Sequence, residues 1–304
     1  MHIHPAAAVT GALLGLSALV LSATAAQAAP ARDQPGNPVT VSHRGASAYA
    51  PENTLASIDK AAALRIAWVE NDVQRTQDGK LVIMHDTTLN RTTNVETLFP
   101  SRAPWKISDF TLAEIQKLDA GSWFNRKFAG ERVPTLGRYL NRVEHNHQKL
   151  LMEVKAPELY PDIERQTLNE LDNAGWLDRE HLKSRLILQS FSADSLKNIH
   201  RQEADVKTGF LGMPAVADLP AYARFADQIN PSHKTVTTAY IAAVHRLKGP
   251  HARPLELFTW TVDDGPTAVA LARMGADGII TNAPDVVRNA LEQKSFGLFI
   301  PSFP

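Results

Sequence analysis

Short apolar segments alternate with helical patterns along most of the chain, and this alternation limits the fold more than any other feature. The strand-like segments are residues 39–43, 68–72, 81–85, 150–154, 186–189, 208–211, 227–230, 257–260 and 278–281, and the main helical segments are 54–64, 160–174, 194–202, 238–247 and 266–274. Nearly continuous apolar strands separated by helices are typical of a parallel sheet covered on both faces. The pattern therefore predicts an α/β fold of the kind that includes the (β/α)8 barrel.

Two features depart from a regular alternation. The nine strand-like segments exceed the eight positions of a barrel, so we expect at least one of them to lie outside it. The link from Asp72 to Leu81 is also too short for a crossover helix, which parallel neighbours normally need. Residues 87–148 form a long insertion after the third segment, with a helical pattern at 111–118, and we expect an elaborated loop or cap on one end of the barrel.

The N-terminal segment predicts export. Residues 6–28 carry no charge and end in Ala26-Gln27-Ala28, the pattern of small residues that signal peptidase accepts. The apolar core of this segment, residues 12–20, is short for a membrane span, although an N-terminal anchor is the alternative. We expect cleavage after Ala28, a linker at 29–37, one domain at 38–304, and a secreted protein, either periplasmic or extracellular.

Composition excludes several classes of partner and site. Lysine and arginine number 32, as do aspartate and glutamate, so the formal net charge is zero and nucleic-acid binding is not expected. The chain has no cysteine, which excludes a thiolate metal site, a thiol nucleophile and a lipid-modified cysteine. We expect no stable membrane anchor on the mature protein, and composition does not specify its oligomeric state.

Ionisable and amide side chains follow five of the apolar strands. They are His43-Arg44, Glu70 with Asp72, His85-Asp86, Glu153 with Lys155, and Gln189. The carboxyl ends of parallel barrel strands meet at one rim, where active sites of this architecture lie. Residues two apart on a strand point the same way, so each spaced pair faces one side of its strand.

Three carboxylates at this rim predict a metal site. Glu70, Asp72 and Glu153 supply oxygen ligands, which suit one divalent cation, Ca²⁺ or Mg²⁺, rather than a soft metal. Like charges this close repel one another unless a cation neutralises them.

The remaining rim residues suit phosphoryl chemistry. His43 and His85 can exchange protons near neutral pH, as general base and general acid. The planar fork of Arg44 matches phosphate oxygens, and Lys155 adds a second positive charge. A cation and an arginine would neutralise charge on phosphorus while the histidines move protons.

Motifs in a fixed order also make the chain resemble glycerophosphodiester phosphodiesterases. They are Ser42-His43-Arg44-Gly45, Ala50-Pro51-Glu52-Asn53-Thr54, Glu70-Asn71-Asp72-Val73-Gln74, Leu89-Asn90-Arg91-Thr92-Thr93, Val133-Pro134-Thr135-Leu136, Glu153-Val154-Lys155, Gln189-Ser190-Phe191, Phe258-Thr259-Trp260-Thr261-Val262 and Gly275-Ala276-Asp277-Gly278-Ile279-Ile280-Thr281-Asn282. The likeness extends from about residue 39 to residue 286. Any one motif alone is weak, but the ordered set is specific.

The resemblance implies a TIM barrel that hydrolyses a glycerophosphodiester, such as glycerophosphocholine, to glycerol 3-phosphate and an alcohol. It assigns the roles by position: His43 and His85 catalytic; Glu70, Asp72 and Glu153 metal ligands; Arg44, Lys155, Gln189, Phe191 and Trp260 phosphate or substrate contacts; and Glu52 a supporting carboxylate. Asn71 replaces a usual apolar residue, and Asp263 and Asn282 stand where the family often has asparagine and aspartate. We expect these two to alter substrate contacts, not the core chemistry.

Structural alternatives remain for several of these side chains. Asp86 could only cap the loop after His85, and Glu70 and Asp72 could pair with Arg65 or Arg75 at the surface. Glu52 could only favour a helix dipole. Phe191 and Trp260 either line the pocket or fill barrel layers. The other histidines, such as His145, His147 and His251, are expected at the surface.

Functional alternatives also remain open. One is a phospholipase D-like or lysophospholipase-type enzyme of the same superfamily, for which the aromatic tail at 296–303 leaves room; another is a binding protein without catalysis. The nucleophile is water, the adjacent glycerol hydroxyl of the substrate, or a histidine. The sequence leaves the head group undetermined.

Overall fold

The computed structural model describes residues 1–2 and 38–297, with side chains through residue 293. The predicted signal peptide and linker lie outside the described residues apart from the first two, as do the aromatic side chains of the C-terminal tail. No helix among the described residues is long and apolar enough to cross a membrane.

The described region contains nine strands and eleven α-helices. The strands are β1 (Val39–Ser42), β2 (Trp68–Arg75), β3 (Leu81–Ile83), β4 (Lys149–Val154), β5 (Leu186–Ser190), β6 (Lys207–Leu211), β7 (Gln228–Asn230), β8 (Glu256–Thr259) and β9 (Gly278–Thr281). The helices are α1 (Leu55–Ala63), α2 (Val95–Leu98), α3 (Leu112–Ile115), α4 (Leu136–His145), α5 (Ile163–Asn173), α6 (Arg179–Ser184), α7 (Ala193–Gln202), α8 (Leu219–Tyr222), α9 (Thr238–His245), α10 (Gly265–Met274) and α11 (Pro284–Gly297).

Eight of these strands close into a parallel barrel. The hydrogen-bonded order runs from β1 through β9 and down to β4 and β2, and β1 also pairs with β2, which closes the ring. Helices lie between most successive strands, as a parallel barrel requires. The predicted (β/α)8 TIM barrel is confirmed.

The ninth strand, β3, lies outside the barrel. It pairs only with β2 in the strand order and runs antiparallel to it, with Val73 opposite Ile83. A short turn at residues 76–80 joins the two strands, so no crossover helix is needed. One of the nine strand-like segments is therefore peripheral, as the sequence predicts.

Side chains alternate between the barrel interior and the helical layer. Val41, Leu151 and Ile187 pack with Phe258 and Ile280 in the interior of the barrel. The odd-numbered residues of β2 face outward instead, where apolar ones join the core shared with the helices. Inward-facing positions at the strand ends consequently point into the rim.

The segment after β3 forms a cap with its own small core. The apolar residues of this cap core are Val82, Met84, Leu89, Val95, Ile107, Phe110, Ile115, Leu118, Ala120 and Val133. The helical pattern at 111–118 is realised as the single turn α3, whose N-terminus has a capping box between Thr111 and Glu114.

Helix α4 lies within the predicted insertion of 87–148 but belongs to the barrel. Its buried residues Leu136, Tyr139, Leu140 and Val143 pack in the core between strands and helices. Since α4 leads into β4, it is the crossover helix between β2 and β4, and the cap itself ends before Leu136.

Candidate active site

Strand register brings three predicted site residues to one level of the rim. Asp72 on β2 lies opposite Glu153 on β4, and Glu153 lies opposite Gln189 on β5. All three side chains are buried and face inward. Parallel pairing of β2 with β4 thus brings the carboxylates together, and pairing of β4 with β5 adds the amide of Gln189 beside them.

The turn after β1 places Arg44 against this cluster. Arg44 has a left-handed backbone with φ of 54°, followed by Gly45 at φ of 79°. A Cβ on Gly45 would lie 2.3 Å from the Oγ of Ser57, so only glycine fits there. This turn lets the Arg44 backbone N–H donate to Oε2 of Glu70 at 2.9 Å.

Glu70, Asp72 and Glu153 form a compact group of carboxylates. One oxygen from each lies within 4.8 Å of the others, and all three residues are buried. Burial and the neighbouring carboxylates raise the pKa of Glu70 well above its usual value, and burial and Asp72 raise the pKa of Glu153 to about 8. The three carboxylates therefore repel one another in a buried site.

Asp72 is the most strongly paired member of the cluster. Lys155 Nζ and Arg44 Nε each lie 3.6 Å from its carboxylate, and Asn53 Nδ2 donates to it at 2.9 Å. Burial alone would raise the pKa of Asp72, but Arg44 and Lys155 outweigh burial and bring it below its usual value. Lys155 also contacts Glu153 at 2.9 Å.

The β2–β3 hairpin brings His85 back to the rim. The backbone N–H of Met84 donates to the carbonyl of Asp72 at 2.9 Å, so the chain after β3 runs beside the end of β2. The side-chain amide of Gln74 donates to the carbonyls of Met84, His85 and Asp86 at 2.7, 3.0 and 2.8 Å. Gln74 therefore fixes the backbone that carries His85.

A charged network orients His85. Its Nδ1 lies 2.7 Å from Asp86 Oδ1, and Arg91 Nε donates to the other oxygen of Asp86 at 2.6 Å. Arg91 also donates to Glu52 at 2.7 and 2.8 Å, and Glu52 accepts from Arg44 at 2.9 Å. A carboxylate only accepts hydrogen bonds, so Nδ1 of His85 must carry the proton of its bond to Asp86.

His43 has an amide as its partner instead. Its Nδ1 lies 2.7 Å from Asn282 Oδ1, which stands directly after β9. Burial and the adjacent Arg44 guanidinium lower the pKa of His43 to about 4. Burial also lowers the pKa of His85, although Asp72 and the bond to Asp86 oppose the shift.

One cavity of about 140 Å³ joins these groups. Its lining residues are His43, Arg44, Glu70, His85, Glu153, Lys155, Gln189, Phe191, Leu211, Trp260, Thr261 and Ile280. Phe191 and Trp260 meet edge to face with ring centroids 5.7 Å apart, and Trp260 Nε1 donates to the carbonyl of Asn230 at 2.8 Å. Both aromatic residues line the cavity, and Trp260 also packs against the barrel interior.

Residues 43–286 match the model of the glycerophosphoryl diester phosphodiesterase family. The chain is 32% identical to a glycerophosphodiester phosphodiesterase of Bacillus subtilis (strain 168), over 90% of this chain and 93% of that protein. The chain belongs to this family. A glycerophosphodiester phosphodiesterase of Caldanaerobacter subterraneus subsp. tengcongensis is also 32% identical, over 84% of this chain and 98% of that protein.

A solved structure agrees with the family assignment. A phosphodiesterase of Oleispira antarctica, in complex with the product sn-glycerol-3-phosphate, superposes with a TM-score of 0.67 and 26% identity over 84% of this chain and 97% of its own. The protein is therefore an enzyme of the glycerophosphodiester phosphodiesterase kind, a phosphoric diester hydrolase.

The structural alternatives for the rim carboxylates are not realised. Glu70 and Asp72 face into the barrel, while Arg75 donates to the carbonyl of Pro161 at 2.9 Å. Glu52 precedes the N-cap of α1 and bridges two arginines, which is more than a helix-dipole role. His251 is half-buried and bonds Asp227 at 2.8 Å, so its predicted surface position is wrong.

Sequence reasoning missed the partners of the two histidines. It gave Asp86 only a possible capping role, although the adjacent His-Asp pair was a usable signal. The expectation that Asp263 and Asn282 alter substrate contacts stays a prediction, and it did not include the contact between the amide oxygen of Asn282 and His43. No local pattern predicts that contact, because it spans the closure of the barrel between β1 and β9.

Proposed function

We propose that the enzyme hydrolyses small glycerophosphodiesters, such as glycerophosphocholine, to glycerol 3-phosphate and an alcohol, with the help of one divalent cation. The observation that carries the proposal is a single cavity in which two histidines and two cationic side chains adjoin a buried carboxylate cluster. The product bound to the Oleispira antarctica relative is sn-glycerol-3-phosphate, which supports the same substrate class here.

The carboxylate cluster fits a hard divalent cation. Three buried carboxylates, from Glu70, Asp72 and Glu153, offer oxygens within 4.8 Å of one another. Ca²⁺ and Mg²⁺ both take such oxygen ligands. Burial and the neighbouring Asp72 carboxylate raise the pKa of Glu153 to about 8, and a bound cation would oppose both effects. When bound, the cation supplies positive charge beside the phosphoryl oxygens.

Arg44 and Lys155 are placed to bind the phosphodiester. Both line the cavity, and both are held by carboxylates, at 2.9 Å for Arg44 with Glu52 and 2.9 Å for Lys155 with Glu153. These ion pairs fix the cationic groups before substrate arrives. Charge that is already oriented stabilises a developing oxyanion without reorganisation.

The partners of the two histidines favour different roles. His43, beside a neutral amide and with its pKa lowered to about 4, is neutral at pH 7 and suits the general base. Burial lowers the pKa of His85 as well, but the Asp72 and Asp86 carboxylates oppose that shift, so of the two histidines His85 is the one with carboxylate partners for a protonated ring. It therefore suits the general acid that protonates the leaving alkoxide. Trapping a cyclic glycerophosphate in rapid-quench samples would identify the substrate hydroxyl as nucleophile.

The deciding experiment measures glycerol 3-phosphate released from glycerophosphocholine by the mature protein. We expect activity to disappear with EDTA and to return with Ca²⁺ or Mg²⁺, which also identifies the metal. Glycerophosphoethanolamine, glycerophosphoinositol and glycerophosphoglycerol, assayed in parallel, establish the head-group preference. Turnover that survives both chelation and the double variant His43→Ala/His85→Ala would overturn the proposal.

A lysophospholipid-cleaving activity is the second candidate, and exposed apolar residues favour it. Leu159, Phe191, Met213 and Val216 are large, exposed hydrophobic residues that follow the carboxyl ends of β4, β5 and β6. Apolar surface beside a catalytic mouth suits an acyl chain. Faster cleavage of lysophosphatidylcholine than of glycerophosphocholine would favour this candidate.

We also propose that the enzyme is exported, from the uncharged segment and the Ala26-Gln27-Ala28 site of its sequence. N-terminal sequencing of the protein recovered outside the cytoplasm should begin at Ala29. Recovery of an uncleaved chain in the membrane fraction would contradict this proposal.

A further inference from the structure

Three side chains from distant parts of the chain stand in a row at the closure of the barrel. Asp263 follows β8, Asn282 follows β9 and His43 follows β1. The side-chain amide of Asn282 donates to Oδ2 of Asp263 at 2.8 Å, and its carbonyl oxygen lies 2.7 Å from Nδ1 of His43. The backbone N–H of Asn282 also donates to Oδ1 of Asp263 at 2.8 Å, so Asp263 holds the residue at two points.

The orientation of the Asn282 amide follows from its partners in this row. The carboxylate of Asp263 only accepts hydrogen bonds, so the NH₂ group of Asn282 must face it. The carbonyl oxygen of Asn282 then faces His43 and the hydroxyl of Ser47, which lies 2.7 Å away. An amide oxygen also only accepts, so neutral His43 must carry its proton on Nδ1 and its lone pair on Nε2.

We propose that Asp263 is a positioning residue that selects the tautomer of His43 through the amide of Asn282. The inference rests on the proposed role of His43 as the base. With the proton held on Nδ1, Nε2 is free to accept a proton from the nucleophile. Asp263 is not one of the residues that line the cavity, and its bonds to Asn282 are the route by which it acts on His43.

The side chain of Asn282 needs Asp263 to fix its orientation, because the oxygen and the NH₂ group of an amide are nearly equal in shape. Without a carboxylate at position 263, Asn282 can rotate and present its NH₂ group to His43. Nδ1 would then have to accept, the proton would move to Nε2, and the base would be blocked. Thr281, whose hydroxyl donates to Asp263 Oδ1 at 3.2 Å, helps to hold the carboxylate but cannot replace it.

The test uses Asp263→Asn, Asn282→Asp and the double variant that exchanges both residues. We expect Asp263→Asn to lower kcat by about 10- to 100-fold with little change in KM, as is usual when a supporting partner is removed. Asn282→Asp places two carboxylates side by side and should also lower kcat. The double variant restores the alternation of donor and acceptor, and we expect kcat to recover to within about threefold of the unmodified enzyme.

A spectroscopic readout tests the same inference without turnover. Protein labelled with ¹⁵N-histidine reports whether Nδ1 or Nε2 carries the proton, and a His43→Gln variant assigns the signal among the 11 histidines of the chain. We expect the Nδ1–H form in the unmodified and double-variant proteins, and its loss in Asp263→Asn. This result stands even if glycerophosphocholine is not the substrate.

Asp264→Asn is the matched control. Asp264 is the exposed neighbour that caps α10 by accepting from the Thr267 N–H at 2.8 Å, and asparagine caps helices equally well. It removes the same charge from the same loop, and we expect neither kcat nor the tautomer to change. An unchanged tautomer and kcat in Asp263→Asn, or a double variant no better than the combined single effects, would overturn the inference.

Discussion

Strands β1–β4 and strands β5–β9 contribute different chemistry to the same cavity. The ionisable lining residues come from the first group and its loops: His43, Arg44, Glu70, His85, Glu153 and Lys155. The second group contributes neutral ones: Gln189, Phe191, Leu211, Trp260, Thr261 and Ile280. The charged half therefore contains the proposed reaction chemistry, and the neutral half forms a wall opposite to it.

The comparison shows that the charged and the neutral lining residues of the cavity come from separate parts of the fold. A neutral wall keeps the local dielectric constant low, which strengthens the field of the charged half on a bound phosphodiester. Variants in the charged half should act mainly on kcat, and variants in the neutral half mainly on KM. Asn282 is the exception, since it comes from the neutral half and orients a histidine of the charged one.

The largest expected effect separates the two histidines of the charged half. His43→Ala and His85→Ala should each lower kcat on glycerophosphocholine by about 10²- to 10⁴-fold, the usual contribution of a positioned acid or base. On a p-nitrophenyl phosphodiester of glycerol, the leaving group needs no proton. His85→Ala should then lose far less activity, whereas His43→Ala should remain impaired, as steady-state rates on both substrates would show.

His145→Ala is the control for this pair. His145 is exposed at the end of α4, and its loss should leave both rates unchanged. If His85→Ala loses the same fraction of its rate on both substrates, His85 is not the general acid. If instead the rate of His43→Ala recovers on the p-nitrophenyl substrate, the roles of the two histidines are the reverse of those proposed.

The next effect concerns the carboxylate cluster. The pKa of Glu153 is raised to about 8, so between the usual carboxyl pKa and pH 8 the folded state holds a proton that the unfolded state has released. The cation-free protein should therefore lose stability as pH rises through that window. Glu153→Gln should reduce this decline, and Glu70, whose pKa is also raised by burial and by Asp72, should account for the remainder. The variant should also abolish the increase in Tm that Ca²⁺ or Mg²⁺ gives.

Thermal melts in EDTA and in each cation, from pH 5 to pH 8, measure both parts of this prediction. Glu158→Gln is the matched control, because Glu158 is an exposed glutamate in the segment after β4 and the variant should keep the cation response. A Glu153→Gln protein that still gains stability from the cation would remove Glu153 from the ligand set.

A smaller effect is expected in the neutral half. Phe191 is 52% exposed at the cavity mouth and packs against Trp260, so it can cover a bound substrate without touching the carboxylates. Phe191→Ala should raise KM for glycerophosphocholine by roughly three- to tenfold with kcat nearly unchanged. Leu159→Ala, an exposed residue outside the cavity lining, should change neither value. If Phe191→Ala lowers kcat and leaves KM unchanged, Phe191 contributes to the reaction step, as the residues of the charged half are expected to do.

The site residues were predictable because strand periodicity and parallel pairing act together. Glu70 and Asp72 occupy inward positions of β2 and Glu153 an inward position of β4, and parallel pairing puts equal levels of the two strands side by side. The sequence could not show the direction of β3, since a short link excludes a crossover helix without specifying what replaces it. The structure shows that this antiparallel strand is what returns His85 to the rim.

Hydrogen bonds between residues far apart in the chain could not be predicted from the sequence. The bond between His43 and Asn282 joins residues 239 positions apart, and Arg91 reaches Glu52 from the cap.

Helix α4 was missed for a different reason. Its apolar residues at 136, 139, 140 and 143 have clear helical spacing, but the length of the insertion concealed that this helix belongs to the barrel.

The smallest predicted effect lies on the outer face of the charged half. Asn71 is fully buried on β2 between outward-facing Val69 and Val73, and neither of its amide atoms finds a hydrogen-bond partner among the described residues. An unpaired buried amide costs about 1–3 kcal/mol, and β-branched residues suit a strand. Asn71→Val should therefore raise the unfolding free energy by about 1 kcal/mol, measured by urea titration, with kcat unchanged because the side chain points away from the cavity. A loss of activity would mean that Asn71 acts through β2 on its neighbours Glu70 and Asp72, and the separation between an outer structural face and an inner chemical face would fail.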